Sequence, residues 1–250
     1  MRSHDCGRYC SWPIATIVGA YAPRENIITN LLLRPEDERK IEFFMNRILY
    51  YHQQSNFSRK IRILLAEKNL DCELFEINLA NKPPEFLEIS PIGQVPVFVD
   101  EDGTVIWDST LIAEYLDETY PQPSFYPSAP HTRLECRKWE QLADTLGDNI
   151  IRLWILNFTN DLASVSSRTK LETLINRLLP IFDGQLRQSD YLLGGETWTA
   201  ADVAALCSLG YYSFRLDEDW RIQYPYLKDW FNKLHDRESV KSTIPKKLDT

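Results

Sequence analysis

A proline-rich break near the middle of the 250-residue chain separates two unlike hydrophobic patterns. Its prolines are Pro121, Pro123, Pro127 and Pro130. Proline fixes φ and donates no backbone hydrogen bond, so no regular helix is expected to run through this stretch. Strand and helix patterns alternate before the break, whereas only helix patterns follow it. We therefore expect a mixed α/β domain over residues 46–121, a linker over 122–130 and an all-α domain over 131–250.

The segment before the break has the pattern of a small mixed sheet. Short apolar runs predict strands at 48–51, 72–79, 95–99 and 104–107. The first two strands are separated by apolar residues at helical spacing: Phe57, Ile61, Leu64 and Leu65. The last two flank a turn and predict a hairpin, which a further helix follows. A βαβ unit, a hairpin and a helix indicate a thioredoxin-like domain.

Beyond the break, apolar stripes predict long helices over 133–158 and from Leu171 to Phe182. Thr199 and Asp202 have the spacing of a capping box and predict the start of a buried helix. A final amphipathic helix is predicted after Pro225. The second domain is therefore expected to be entirely helical.

Composition narrows the possible partners. The formal net charge of −8 argues against a nucleic-acid partner or an anionic membrane surface. The chain has no apolar run long enough to span a membrane. Its five cysteines are scattered and lack zinc-site spacing, so we expect no metal and a reducing, cytoplasmic location.

Two short motifs within 94–109 suit a small peptide ligand. A cis bond between Val95 and Pro96 would turn the peptide groups of Val95 toward an extended peptide. Asp108 and Ser109 precede the helical pattern that follows, which places them at a helix N-terminus. Such a terminus attracts a carboxylate, and Asp108 can pair with an ammonium group. Together the motifs suit an amino-acid zwitterion.

From about Ile48 to the C-terminus the chain resembles the glutathione S-transferase family. The resemblance is carried by Gln94-Val95-Pro96, Asp108-Ser109 and Ser55-Asn56-Phe57-Ser58-Arg59. It implies a glutathione-binding first domain, a homodimer, and glutathione as co-substrate with no permanently bound cofactor. It also implies which residues contact glutathione: Gln94, Val95, Pro96, Asp108 and Ser109.

The glutathione thiolate must be stabilised, and a hydroxyl donor and the N-terminus of the following helix would both lower the pKa of the thiol. Ser55 is the first choice, because it occupies the position of the catalytic serine in theta- and zeta-like members. Tyr51 is the alternative, since other members carry a catalytic tyrosine at the end of the same strand. Ser55 could instead serve only as a helix N-cap, and His52 is a weaker candidate. Ser58 and Arg59, in the first turn of the helix, are expected to face solvent.

The resemblance implies an enzyme of detoxification that conjugates the glutathione thiolate to a hydrophobic electrophile. The electrophile is expected in an apolar pocket to which four aromatic residues could contribute: Trp154, Tyr211, Tyr212 and Phe214. A glutathione-dependent isomerase or dehalogenase is an alternative, and a non-catalytic binding or assembly protein is another.

Residues 1–44 show no resemblance to the family. Met45 stands directly before the first predicted strand. The segment is expected to be a native extension or a stretch that precedes the true start at Met45; a secretory signal in the apolar run from Trp12 to Ala22 is a further alternative.

Overall fold

The computed structural model describes residues 46–157 and 163–246, with side chains from residue 166 onward in the second range. The described part contains a four-stranded sheet. In chain order its strands are β1 (Ile48–Tyr51), β2 (Glu73–Glu76), β3 (Val97–Val99) and β4 (Val105–Trp107). Their spatial order is β2-β1-β3-β4; β1 and β2 are parallel, and the other pairs are antiparallel.

The connections between the strands explain which pairs are parallel and which are antiparallel. Helix α1 (Asn56–Glu67) crosses between the two parallel strands, whereas the antiparallel pair β3 and β4 is joined by a tight turn. Gly103 in that turn has a φ of 84°, which glycine adopts without strain. Leu49 and Phe98 are paired across the sheet and fully buried on the side of α1. Helix α2 (Pro84–Ile89) packs on the opposite face through Phe86.

Helices follow the sheet. They are α3 (Ser109–Thr119), α4 (Pro130–Leu156), α5 (Ala163–Leu186), α6 (Ala200–Arg215), the 3-10 helix η1 (Trp220–Ile222), α7 (Pro225–His235) and α8 (Glu238–Lys241). Helix α6 is buried over most of its length and packs against both α4 and α1. Thr199 and Asp202 form the predicted capping box at its start. The predicted fold, a thioredoxin-like domain followed by a helical domain, is confirmed.

Three details differ from the sequence-based expectations. The strand expected over 72–79 is shorter, Glu73–Glu76, and all its side chains are exposed. The long helix expected from residue 133 begins at Pro130, because proline is well accommodated in a first helical turn. Ser58 and Arg59, expected to face solvent, are buried.

Arg59 is buried because α1 is covered by the end of the chain. Its guanidinium donates to the carbonyl oxygen of Val240 at 3.2 Å and to the hydroxyl of Thr243 at 3.4 Å. The extension expected over 1–44 lies outside the described residues. Over the part of the chain that is described, no helix is long and apolar enough to cross a membrane.

Candidate functional site

The five residues expected to contact glutathione line one cavity of about 360 Å³. They are Gln94, Val95, Pro96, Asp108 and Ser109. Phe57 from the start of α1 and Asp144 and Asp148 from α4 complete much of its wall. The cavity therefore lies where the α2–β3 loop, the start of α3 and the helical domain meet.

The loop before β3 is held by a buried serine. The Ser90 hydroxyl donates to the carbonyl oxygen of Gln94 at 2.9 Å and accepts from its N–H at 3.1 Å. Gly93, with a φ of 62°, makes the turn between them. The Val95–Pro96 bond is cis, as predicted. Because β3 begins only at Val97, Val95 lies outside the sheet ladder, beside the cavity.

Asp108 caps α3, as predicted. Its Oδ1 accepts the backbone N–H groups of Thr110 at 2.9 Å and Leu111 at 3.2 Å. Its φ of 74° is unusual for a residue other than glycine. The cap uses only Oδ1 of the carboxylate, so Oδ2 can accept a hydrogen bond from a ligand. Ser109, the first residue of α3, is buried against the cavity.

Ser55 is the N-cap of α1. Its Oγ accepts the N–H of Ser58 at 3.1 Å, and its φ of −83° and ψ of 122° are those of an extended residue. The hydroxyl can still donate its proton outward, because capping uses only an oxygen lone pair. Ser55 does not itself line the cavity described above; Phe57, two residues later, does.

Tyr51 and His52 lie beside Ser55. The Tyr51 ring lies 5.2 Å from the guanidinium carbon of Arg62 on α1, and Tyr51 is likewise not part of the cavity wall. His52 Nδ1 accepts the N–H of Gln54 at 3.2 Å. Burial lowers the pKa of His52; the charge of Glu76 opposes this shift, and the smaller effect of Arg215 adds to it. His52 is therefore a neutral acceptor at neutral pH.

Two carboxylates of the cavity, Asp144 and Asp148, were not predicted from the sequence. They lie four residues apart on α4 and so share one helix face. Burial raises the pKa of Asp148, the charge of Asp108 raises it further, and Arg152 opposes both. Asp144 is ion-paired to Lys60 at 3.1 Å. Asp148 thus adds a second carboxylate near Asp108, which suits the ammonium group of a zwitterion, while Arg137 contributes a positive charge to the same cavity.

The aromatic residues proposed for the electrophile do not all lie together. Trp154, Tyr211 and Phe214 surround the guanidinium group of Arg215. Tyr212 instead points to another recess, where its hydroxyl donates to Glu218 at 3.3 Å. Tyr212 is therefore separated from the other three aromatic residues, because adjacent residues along α6 face different directions.

Comparison with known proteins agrees with this architecture. The family model described as glutathione S-transferase, N-terminal domain, matches residues 49–124. The model described as glutathione S-transferase, C-terminal domain, matches residues 166–233.

Individual relatives extend over most of the described chain. The GST-like protein YibF of Escherichia coli K12 is 32% identical, over 77% of this chain and 96% of YibF. A glutathione S-transferase of Methylobacillus flagellatus KT, solved with glutathione bound, is 30% identical; the match covers 80% of this chain and 100% of that one, with a TM-score of 0.74. A glutathione S-transferase of Methylobacterium radiotolerans, solved with glutathione sulfonate, is 26% identical over 82% of this chain and 98% of that one, with a TM-score of 0.75.

The two matched family models fall on the sheet-containing and helical parts of the fold, and YibF is matched over nearly its whole length. The chain belongs to the glutathione S-transferase family.

Proposed function

We propose that the protein is a glutathione transferase that joins the thiolate of reduced glutathione to a hydrophobic electrophile. The proposal rests on the observation that five residues line the same cavity: Gln94, Val95, Pro96, Asp108 and Ser109. Its geometry offers a peptide-pairing loop, a helix N-terminus for a carboxylate and a carboxylate for an ammonium group. The relatives solved with glutathione or glutathione sulfonate support this ligand.

Ser55 is the residue we propose as thiolate stabiliser. It starts α1, so a sulfur placed beside it would meet both a hydroxyl donor and the positive end of the helix dipole. Both effects lower the pKa of a thiol. Tyr51 is the weaker candidate, because its ring packs against Arg62. In addition, Ser55 is closer in sequence than Tyr51 to Phe57, which lines the cavity.

The thiolate absorbance of bound glutathione, measured against pH, tests this proposal. In the Ser55→Ala variant we expect the pKa of the bound thiol to rise by about one to two units, because a hydrogen bond to an anion is worth roughly 1.5–3 kcal/mol. Turnover at neutral pH should fall about tenfold or more. Affinity for an S-alkylated glutathione should stay nearly unchanged, since that ligand has no thiolate.

Ser55→Thr is the matched control, because threonine keeps both the hydroxyl and the helix cap. Ser55→Ala also removes the cap, which costs about 1 kcal/mol of stability, so melting curves accompany the titrations. If Tyr51→Phe raises the thiol pKa and Ser55→Ala does not, Tyr51 is the donor. If wild-type protein binds glutathione and shows no thiolate and no turnover with a broad electrophile panel, a binding or assembly role replaces catalysis.

A further inference from the structure

Arg215, the last residue of α6, lies among three aromatic rings. Its guanidinium carbon lies 4.0 Å from the ring centre of Trp154 and 4.6 Å from that of Phe214. The Tyr211 ring is 5.2 Å away. Aromatic faces attract a cation, so the three rings hold the planar guanidinium group in place.

A hydrogen bond fixes Arg215 to the loop that precedes α1. Its Nη2 donates to Oε1 of Gln54 at 2.7 Å. Gln54 in turn donates through Nε2 to the carbonyl oxygen of Lys246 at 3.3 Å, which orients the amide. Gln54 directly precedes Ser55, and consecutive Cα atoms are about 3.8 Å apart. The cation is therefore held by the residue that directly precedes Ser55 in the chain.

The positive charge of Arg215 is not matched by a carboxylate among the described side chains, whose ion pairs all use other cations. Its Nε is out of contact with solvent and has no hydrogen-bond partner. Arg221 provides the contrast: it stacks on Trp220 in the same way, at 4.7 Å, yet pairs with Asp219 at 3.2 Å. Partly buried cations usually have an anionic partner, and Arg215 keeps part of its side chain exposed to solvent, from which an anion can approach.

We propose that Arg215 and its three aromatic neighbours form a second-substrate subsite that selects an electrophile carrying a carboxylate or sulfonate on a flat apolar body. The anion would pair with the guanidinium group, and the body would lie against the rings. This inference rests on the proposed function and names the class of its second substrate. A suitable reaction is aromatic substitution: the thiolate forms a carbon–sulfur bond, the carbon–chlorine bond breaks, and chloride leaves with the electron pair.

A matched pair of electrophiles tests the subsite. The anionic member is 4-chloro-3,5-dinitrobenzoate, and the neutral member is its methyl ester; each enzymatic rate is divided by the uncatalysed rate with glutathione. We expect wild-type protein to favour the anion by about tenfold in kcat/KM and Arg215→Met to abolish that preference, since tenfold corresponds to one charge-assisted contact. Arg215→Lys, which keeps the charge, should retain part of it.

Arg221→Met is the control, because it removes a stacked arginine away from the Gln54 loop and should leave the preference unchanged. Arg215→Met should raise the pKa of the bound glutathione thiol by less than Ser55→Ala does, since the subsite acts mainly on the electrophile and the lost cation only adds to the stabilisation of the thiolate. A thiol pKa raised as far as in Ser55→Ala, with the electrophile preference unchanged, would overturn the proposal by showing that Arg215 acts on the thiolate. Equal wild-type ratios of enzymatic to uncatalysed rate for the two electrophiles would also overturn it.

Binding of the two product conjugates gives a readout that does not need turnover. Calorimetry should show wild-type protein binding the carboxylated glutathione conjugate about tenfold more tightly than its methyl ester, with the difference shrinking as salt is added. If glutathione and both conjugates bind equally well, the subsite is wrong while the glutathione site stands. If neither glutathione nor either conjugate binds, the proposed function fails first, and this inference fails with it.

Discussion

The two carboxylate oxygens of Asp108 can serve two separate functions. Oδ1 accepts from Thr110 and Leu111 and so closes the start of α3. The positive φ of 74° is tolerated by aspartate and asparagine better than by most other residues. Asparagine at this position therefore keeps the backbone and the cap while removing the charge.

We expect Asp108→Asn to weaken glutathione binding about tenfold, because the ligand ammonium group loses a charged partner. Thermal stability should change little. Asp102→Asn is a matched control: Asp102 also accepts a backbone N–H, from Thr104 at 2.8 Å, in the neighbouring turn. Isothermal calorimetry measures both variants, and equal affinities would show that the cavity does not use the Asp108 charge.

Local motifs were enough to predict five residues that line one cavity. A proline before a strand and an aspartate before a helix each specify backbone geometry within a few residues. Arg215 and Asp148 could not be found this way, because their positions depend on how α6 and α4 pack in three dimensions. The spacing of Asp144 and Asp148 indicated a shared face but not which face it was.

At the scale of elements, a buried ion-pair cluster ties α1 to α4. Lys60 Nζ lies 2.9 Å from Glu140 and 3.1 Å from Asp144, and it also contacts Thr110 of α3 at 3.3 Å. Burial alone would lower the pKa of Lys60, but the charges of Asp144 and Glu140 outweigh it and raise the pKa. Its stabilising effect is therefore fully present below the pKa of a free lysine and is lost only as the pH rises past the folded-state pKa.

Lys60→Met should destabilise the fold by about 3–5 kcal/mol, because it leaves two buried carboxylates without their cation. Denaturant unfolding at neutral pH measures the loss. Lys138→Met is the control: Lys138 pairs with Glu135 at 2.8 Å on the exposed face of α4, where an ion pair contributes about 0–1 kcal/mol. A similar small effect for both variants would mean that α4 relaxes to let water reach the carboxylates.

The burial of Lys60 could have been predicted from its spacing. Lys60 follows Phe57 by three residues and precedes Leu64 by four, so it lies on the apolar face of α1. The strand predicted over 72–79 is longer than the observed β2. Leu74 and Phe75 favour a strand, yet β2 is an edge of the sheet and leaves them exposed.

At the scale of the whole molecule, the end of the chain returns to the first domain. Arg237 donates to both carboxylate oxygens of Glu67 on α1, at 3.0 and 2.7 Å. Farther along, the carbonyl oxygen of Lys246 accepts from Gln54. The chain from α8 onward therefore runs along α1 toward the proposed active-site loop. The helical domain thus helps to fix the position of Ser55, which the sequence pattern of either domain alone does not show.

Both edges of the sheet leave large apolar side chains exposed. Leu74 and Phe75 on β2 are 45% and 51% exposed, and Val105 and Trp107 on β4 are 41% and 38% exposed. Exposed apolar edge strands favour association with another chain. This observation supports the homodimer that the family resemblance implies.

We therefore expect sedimentation to give a species near twice the chain mass of 29.2 kDa. Lysine substitutions of the exposed pair on β2, or of the pair on β4, should shift the protein to monomer if that edge lies in the interface, because a buried lysine without a partner is unfavourable. Ile222→Lys is the control, since Ile222 on η1 is 82% exposed and lies outside the sheet. A wild-type monomer at all concentrations contradicts the homodimer. A dimer that survives both edge variants keeps the homodimer and places its interface away from the sheet edges.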